Sequence, residues 1–219
     1  MKFVINKNIE EISNHISSII NRELSFGKKV FWFVSGGSVV PIEVLVSQKI
    51  NKDLSKNLVI SLVDERYGIF NHSDSNWFNL IKNGFEISNI KCIPYLSGLS
   101  FIETKKEVAL SIEENLLKSD YKIGVFGIGE DGHTAGILPY SEAIHEEELI
   151  CAYNTPLYQR ITITPKTILM LDEAIVYAVG ENKWDALEKL KKEITVEEEP
   201  AQILKKVPVL TIFTDYKVE

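Results

Sequence analysis

Cysteine is scarce in this sequence, with Cys92 and Cys151 the only two among 219 residues. They lie far apart, and neither stands in the spacing of a metal-binding motif. This pattern argues against a disulfide-stapled scaffold and against a cysteine-based zinc site. We interpret both thiols as ordinary packing residues, and we expect a cytoplasmic protein.

Long apolar runs and excess positive charge are also missing. No window approaches the roughly 18 apolar residues that a membrane span requires. Charged and polar side chains interrupt the first residues, MKFVINKNIEEI, so we expect no signal peptide. The net charge of -7 argues against nucleic acid or an anionic membrane as the main partner. A negatively charged small substrate would therefore need a local basic pocket.

Internal repeats and flexible linkers are absent as well. Hydrophobic residues make up 45% of the chain, which is enough for a substantial core. We therefore expect one α/β domain over residues 1–219. The run EKLKKEITVEEEP is charged in both signs, and we interpret it as a solvated helix end and loop.

Five short apolar runs are typical of buried strands, because they are rich in Val, Ile and Phe on both faces. They cover residues 30–34, 58–63, 123–126, 174–179 and 209–213. Helical patterns separate them, with capping-box signatures at Asn8–Glu11 and Thr104–Glu107 and a third pattern after Gly180. The alternation predicts an α/β fold whose mainly parallel sheet is covered by helices on both faces.

The segments that follow these strands are rich in glycine and charge: SGGS, DERYG, GIGEDGH, GENK and TDYK. In open α/β sheets, ligands bind beyond the carboxyl ends of the strands. The clustering therefore predicts a binding site at that edge. In SGGS, which covers residues 35–38, paired glycines ahead of a helix favour either an anion site or a simple tight turn.

Asp64, Glu65 and Arg66 end the second strand. Taken by themselves, these charges are typical of a surface ion-pair network, although strand-end carboxylates also occur in catalytic sites. Downstream, Asp74 or Ser75 is expected to cap a helix that buries Trp77 and Leu80.

His133 lies in the most specific element, GIGEDGHTAGILP, directly after a buried strand. Three glycines in the first six positions allow another group to approach the backbone closely. An imidazole accepts protons from water near neutral pH, and Asp131 can orient the ring or contact a substrate. We therefore predict a functional role for His133. No metal site is predicted, since the histidines show no HxxxH or HxH spacing.

Arg160 and Lys183 complete the basic inventory of the predicted site. Lys183 follows a strand at the start of a helix, where its ammonium and backbone N–H groups can share one phosphate. Arg160 offers a bidentate fork for a phosphate or carboxylate. Each would be interpreted as a surface charge if taken by itself. Their expected position at the same end of the sheet is what favours a shared binding site.

Five motifs occur in order along nearly the whole chain: SGGS, VDER with SN ten residues after Arg66, GIGEDGHTAGILP, RIT and GENK. As an ordered set they resemble the 6-phosphogluconolactonase family, within the superfamily of glucosamine-6-phosphate deaminases and ribose-5-phosphate isomerases. The resemblance implies a Rossmann-like three-layer α/β sandwich. Two segments depart from the family pattern: Ser38 to Pro41 is one residue longer, and NTPLYQR keeps only Pro156 of a proline-rich stretch.

The resemblance also implies an activity, the hydrolysis of 6-phospho-D-glucono-1,5-lactone in the oxidative pentose phosphate pathway, without a cofactor. His133 would be the general base on water, with Asp131 and Arg66 as further catalytic residues. Glycine-loop N–H groups or Arg66 would stabilise the oxyanion. The substrate and phosphate would be bound by Gly36, Gly37, Ser38, Asp64, Arg160 and Lys183. We expect a monomer or a small homo-oligomer.

Two alternatives stay open. Glucosamine-6-phosphate deaminases resemble the chain too, but they typically carry DEY at residues 64–66 and a catalytic glutamate just before the loop proline. Here that position is Leu138, which has no acid–base chemistry. A non-catalytic sugar-phosphate sensor would carry a helix-turn-helix segment, and we expect none because a strand-like run begins at Lys2.

Overall fold

A computed structural model describes residues 1–217. The strands within these residues are β1 (Lys2–Ile5), β2 (Val30–Val34), β3 (Leu58–Leu62), β4 (Asp64–Arg66), β5 (Lys91–Ile93), β6 (Tyr121–Phe126), β7 (Ile150–Asn154), β8 (Gln159–Ile163), β9 (Glu173–Ala178) and β10 (Val209–Thr214). Seven of them form one sheet in the order β1-β10-β9-β6-β2-β3-β5, and each neighbouring pair runs parallel. The predicted parallel sheet and its five strands are confirmed.

Helices flank this sheet and complete the predicted three-layer sandwich. They are α1 (Ile9–Ser25), α2 (Val40–Gln48), α3 (Asn76–Lys82), α4 (Phe101–Lys118), α5 (Pro165–Ile168) and α6 (Trp184–Leu190). Short 3-10 helices cover Gly37–Val39, Ser55–Asn57, Glu142–Ile144, Glu181–Lys183 and Pro200–Lys206. Over residues 1–217, no helix has both the length and the apolar character needed to cross a membrane.

The starts of three helices test the capping predictions. Asn8 caps α1, because its side chain accepts hydrogen bonds from the N–H groups of Glu10 and Glu11. Ser75 caps α3 by accepting from Phe78 N at 3.1 Å. The prediction at Thr104 is wrong, since α4 begins one turn earlier, at Phe101, with the capping box at Ser100. Thr104 is instead buried inside the helix. Its hydroxyl precedes an apolar stripe, which is the same pattern that a capping residue shows in a sequence.

The buried strands hold the core together. Val30 to Val34 are all fully buried, including the aromatic residues Phe31, Trp32 and Phe33. Each such large side chain contributes about 1.5–3 kcal/mol when removed from water. In β6, Gly124 makes room for an aromatic ring, because a Cβ there would lie 2.4 Å from the Phe126 side chain. The central strands therefore form a fixed base for the loops at their carboxyl ends.

A second, antiparallel sheet of order β4-β8-β7 lies beside the first and was not predicted. The chain passes between the sheets at Val63, the single residue between β3 and β4. Val63 N donates to Val34 O of the large sheet at 2.8 Å, and Val63 O accepts from Ile163 N of the small sheet at 2.9 Å. Both sheets thus contribute residues to the region beyond β2 and β3.

Candidate active site

A cleft of about 200 Å³ opens beyond the carboxyl ends of β2, β3, β6 and β9. Loops after these strands line it together with residues of the small sheet, as the segment clustering predicted. Of the predicted site residues, those that line it are Gly36, Gly37, Ser38, Asp64, Arg66, His133, Arg160 and Lys183. Three cationic side chains and one carboxylate thus face a common space, which gives an acidic protein a locally basic pocket.

The turn after β2 presents backbone N–H groups to the cleft. The helical stretch begins with a 3-10 turn at Gly37 and continues directly into α2, so its first N–H groups have no partner within the helix. Gly37 has a φ of 68°, which favours glycine. At Gly36 a Cβ would lie 2.0 Å from Oδ1 of Asn76, so only glycine allows this contact. The turn is suited to an anion.

His133 is fixed by a hydrogen bond to Asp131. Its Nδ1 lies 2.6 Å from Oδ1 of Asp131. Partial burial raises the pKa of the Asp131 carboxyl, but the charge and hydrogen bonds of His133 outweigh this, and the pKa is lowered overall. An ionised carboxylate only accepts hydrogen bonds, so Nδ1 carries a proton, and the second ring nitrogen, Nε2, is the one available for proton transfer. Asp131 does not itself line the cleft; it orients the residue that does.

The glycines of this loop admit the imidazole itself. A Cβ on Gly129 would lie 2.0 Å from Nδ1 of His133, so the ring rests against bare backbone. The turn is closed by Gly129 N, which donates to His133 O at 2.8 Å, and by Gly132 N, which donates to Gly129 O at 3.1 Å. These two N–H groups are therefore already used, which removes them as donors to a substrate.

Glu199 packs against Gly132 of the same loop. Gly132 has a φ of 79°, and a Cβ there would lie 2.4 Å from Cγ of Glu199. Ala201 N donates to Gly132 O at 2.9 Å. The interpretation of EKLKKEITVEEEP as solvated is wrong at this position, since Glu199 is fully buried and burial raises its pKa. The segment reaches the loop because the chain turns back after α6, which the local charge pattern does not reveal.

Asp64 and Arg160 form a buried ion pair at the cleft. Oδ2 of Asp64 lies 2.9 Å from Nη1 of Arg160, with the side chains 9% and 13% exposed. Asn76 adds to this cluster by donating from Nδ2 to Asp64 O at 2.9 Å. Asn76 lines the cleft, but the sequence analysis included it only as part of the SN motif. The sequence feature that could have indicated its role is Gly36, whose lack of a side chain makes room for Asn76.

Glu65 has no part in a surface network with Arg66, and that interpretation is wrong. Its carboxylate is fully buried and accepts from the N–H groups of Asn76 at 2.7 Å and Trp77 at 3.0 Å, from Ser75 Oγ at 2.8 Å, and from its neighbour Arg66 N at 2.8 Å. Burial raises its pKa, and the four hydrogen bonds only partly offset this. Glu65 thus ties the start of α3 to β4.

Arg66 and Lys183 reach the cleft from different elements, β4 and the 3-10 turn ahead of α6. The guanidinium of Arg66 donates from Nη1 to Asp74 O at 2.9 Å. Lys183 ends a 3-10 turn just ahead of α6, as predicted. Asp215, from the predicted TDYK segment, does not line the cleft; it accepts from Gly180 N at 3.0 Å and Trp184 Nε1 at 3.2 Å and thereby anchors the Lys183 turn.

Metal-binding geometry is not a feature of this site. Over residues 1–217, no three His, Cys, Asp or Glu side chains converge as a set of metal ligands. His72 instead places Nε2 2.9 Å from Arg66 O, and His145 lies 3.6 Å from a carboxylate oxygen of Glu197. The cleft itself places an imidazole held by Asp131 beside three cationic side chains.

Comparison with known proteins identifies the family of the chain. The family described as glucosamine-6-phosphate isomerases/6-phosphogluconolactonase matches residues 6–212. A 6-phosphogluconolactonase from Borreliella burgdorferi is 29% identical over 71% of each chain, and a glucosamine-6-phosphate deaminase from Lactobacillus johnsonii is 24% identical over 98% of this chain and 95% of its own. The crystal structure of a 6-phosphogluconolactonase from Shewanella baltica shares the fold, with a TM-score of 0.83 at 22% identity over 98% of this chain and 97% of that one. The chain belongs to the enzyme family of glucosamine-6-phosphate isomerases and 6-phosphogluconolactonases.

Proposed function

We propose that the protein is a 6-phosphogluconolactonase, which hydrolyses 6-phospho-D-glucono-1,5-lactone to 6-phosphogluconate in the oxidative pentose phosphate pathway. One observation carries the proposal: an imidazole oriented by a carboxylate lines the same cleft as Arg160, Lys183 and the turn at Gly37. A base and an anion site on one small cleft suit a substrate that has a reactive carbonyl at one end and a phosphate at the other.

His133 acts as the general base in this proposal. Its Nε2 takes a proton from the water that attacks the lactone carbonyl, and Asp131 stabilises the imidazolium that forms. When the tetrahedral intermediate collapses, the bond to the ring oxygen breaks and the imidazolium returns the proton to that oxygen. A positioned base of this kind supplies roughly 10²–10⁴-fold in rate. An ester lactone, which already hydrolyses in water, needs little more.

Arg66 is the donor that we propose for the oxyanion. The sequence suggested two sources, the N–H groups of the glycine loop and Arg66. Among the loop N–H groups, Gly129 N and Gly132 N are used inside their own turn. Arg66 lines the cleft, and its guanidinium is anchored at Nη1 by Asp74 O, which leaves other N–H groups for a substrate oxygen. A preorganised cationic donor stabilises charge that develops only in the transition state.

The phosphate is held at the other end of the substrate. The N–H groups at Gly37 and Ser38, the ammonium of Lys183 and the guanidinium of Arg160 provide the donors. Asp64 accepts a hydrogen bond from Nη1 of Arg160 and so keeps the guanidinium at the cleft. Binding energy from this remote group then positions the lactone beside His133.

Glucosamine-6-phosphate deamination is the second candidate, because the deaminase relatives align with 98% of this chain. The residue just before Pro139 argues against it. Leu138 carries no acid–base group, and its N–H lies 3.3 Å from the hydroxyl of Tyr153. Glu65 does not replace the missing glutamate, because its buried carboxylate accepts from the first N–H groups of α3.

The two candidates separate in one experiment on the purified protein. With lactone formed in situ, we expect 6-phosphogluconate to appear well above the spontaneous rate, and we expect no ammonia from glucosamine 6-phosphate. His133→Ala should lose most of the lactonase turnover while its thermal unfolding midpoint stays within a few degrees, since the ring is partly exposed. Binding of phosphogluconate without turnover, or ammonia release, would overturn the proposal.

A further inference from the structure

Tyr158 contacts two arginines of the cleft at once. The Cζ atom of Arg66 lies 5.5 Å from the centroid of the Tyr158 ring, and that of Arg160 lies 5.9 Å from it. Both distances are within the range of cation–π attraction. Tyr158 is partly buried and lies in NTPLYQR, the segment that departs from the family pattern.

The backbone that carries the Tyr158 ring is held in a hydrogen-bonded turn. Between β7 and β8, Thr155 N donates to Tyr158 O at 2.8 Å, and Tyr158 N donates to Thr155 Oγ1 at 3.0 Å. The Thr155 hydroxyl in turn donates to Tyr158 O at 2.8 Å. These bonds close a compact turn two residues before Arg160. These bonds fix the backbone from which the ring projects, and they do so without any contribution from the arginines.

The two guanidiniums need such a support. Arg66 and Arg160 face each other across the pairing of β4 and β8, so two like charges are brought together at the cleft. Among the described residues, each has a single anchoring side-chain hydrogen bond, from Nη1 of Arg66 to Asp74 O and from Nη1 of Arg160 to Asp64 Oδ2. Each Nε is buried without a hydrogen-bond partner there. One bond leaves the plane of a guanidinium free to rotate, whereas a second contact with a ring face restricts it.

We propose that Tyr158 is a positioning residue for substrate binding: its ring holds the guanidiniums of Arg66 and Arg160 in the orientations that the bound sugar phosphate requires. This inference rests on the proposed function, in which Arg66 serves the carbonyl end and Arg160 the phosphate. The ring couples the two ends. Tyr158 acts through the arginines, and the attraction of its π face also reduces the cost of holding two cations together.

The test compares Tyr158→Leu, which removes the ring but keeps apolar bulk, with Tyr158→Phe, which keeps the ring. Leu157→Ala is the matched control, since Leu157 is the adjacent residue and 83% exposed. The dissociation constant of 6-phosphogluconate is measured by calorimetry, and kcat and KM are measured with the lactone. Tyr158→Leu should weaken 6-phosphogluconate binding about tenfold, as expected for two lost cation–π contacts. Tyr158→Phe and Leu157→Ala should stay near the wild type.

A second background shows whether the ring acts through the arginines. In Arg66→Ala, one of the two contacts is already gone, so Tyr158→Leu should weaken 6-phosphogluconate binding by a smaller factor than in the wild type. An equal factor in both backgrounds would overturn the inference, as would wild-type affinity in Tyr158→Leu. Loss of binding in Tyr158→Phe as well would assign the effect to the hydroxyl, which also overturns it.

The binding measurement keeps this inference separate from the proposed function. If the wild type hydrolyses the lactone while Tyr158→Leu binds 6-phosphogluconate normally, the function stands and the inference fails. If the wild type shows no turnover while the loss of affinity and its rescue by Tyr158→Phe are seen, the function fails and the role of the ring stands.

Discussion

One oxygen of Asp131 serves His133 twice: Oδ1 lies 2.6 Å from the ring nitrogen Nδ1 and accepts from the backbone N–H of the same histidine at 3.1 Å. The residue that selects the tautomer thus also fixes the loop that carries the ring. An amide oxygen at this position could still accept from the backbone N–H, so the effect on the ring can be tested separately from the effect on the loop.

Replacement of Asp131 by asparagine tests that relationship. The amide cannot both hold the Nδ1 proton and offset the imidazolium charge, so we expect kcat to fall by about 10–100-fold while KM changes little. Steady-state kinetics with the lactone provide the measurement, and a thermal unfolding midpoint near that of the wild type is the control. A kcat within about twofold of wild type would assign Asp131 no role in orienting the base.

Lys183 is predicted to recognise the phosphate. Lys183→Ala should lower kcat/KM for the phosphorylated lactone by about 10–100-fold, the value of a charge-assisted hydrogen bond, and leave unphosphorylated glucono-1,5-lactone almost unchanged. Lys189→Ala is the control, since Lys189 is a partly exposed lysine on α6, the helix that follows Lys183. Equal losses on both lactones would mean that Lys183 does not contact phosphate.

Glu65 is predicted to contribute to stability. In Glu65→Gln, the amide N–H₂ would face hydrogen-bond donors that now point at a carboxylate oxygen. We therefore expect the free energy of unfolding to fall by about 2–4 kcal/mol. Urea denaturation measures it. Glu86→Gln removes only an exposed pair with Lys52 at 3.4 Å and should cost under about 0.5 kcal/mol. Equal stabilities would show that the buried cap is dispensable.

Glu43 gives the protein a pH-dependent stability. It is fully buried in α2, where it accepts from Ser35 N at 2.7 Å, and burial raises its pKa well above the usual range. The folded state therefore keeps a proton that the unfolded chain releases, so stability falls as pH rises from the unfolded-state pKa of 4.5 towards the raised folded value.

Glu43→Gln should remove this dependence. The free energy of unfolding of the variant minus that of the wild type should become more positive between about pH 5 and about pH 8, whatever its sign at the lower pH. Thermal unfolding across that range measures it. Glu113→Gln, an exposed glutamate on α4, should show a constant difference. A constant difference for Glu43→Gln too would mean that Glu43 is ionised in the folded protein.

The large sheet and one side of the cleft were predictable because their determinants are local. Strands such as Val30–Val34 are apolar on both faces, which only a doubly covered sheet explains. Carboxyl ends of parallel strands share one edge, so His133 and Lys183 could be assigned to one site from their places in the chain.

The small sheet depends on pairings that no local pattern specifies. β4 has three residues, and its partner β8 lies nearly a hundred positions away, as the bond between Asp64 and Arg160 illustrates. The strand Ile150–Asn154 shows no clean alternation of polar and apolar residues, and the alternation in Gln159–Ile163 covers only its last four residues. Their role, and that of Tyr158 between them, emerges only when the chain is folded.

Two buried glutamates were mistaken for surface charges for a related reason. A carboxylate is normally exposed, and Glu65 and Glu199 are buried because donors or packing partners arrive from elsewhere in the fold. Their neighbours in sequence are charged, so composition favours solvent exposure at both positions.

Val63, where the chain passes between the two sheets, bears on the size of ligand that the cleft accommodates. Because Val63 is hydrogen-bonded to Val34 on one side and to Ile163 on the other, the backbone holds the arginines of the small sheet at a set separation from the glycine turn of the large one. Under the proposed function, we expect this separation to favour ligands of matching length without any domain movement.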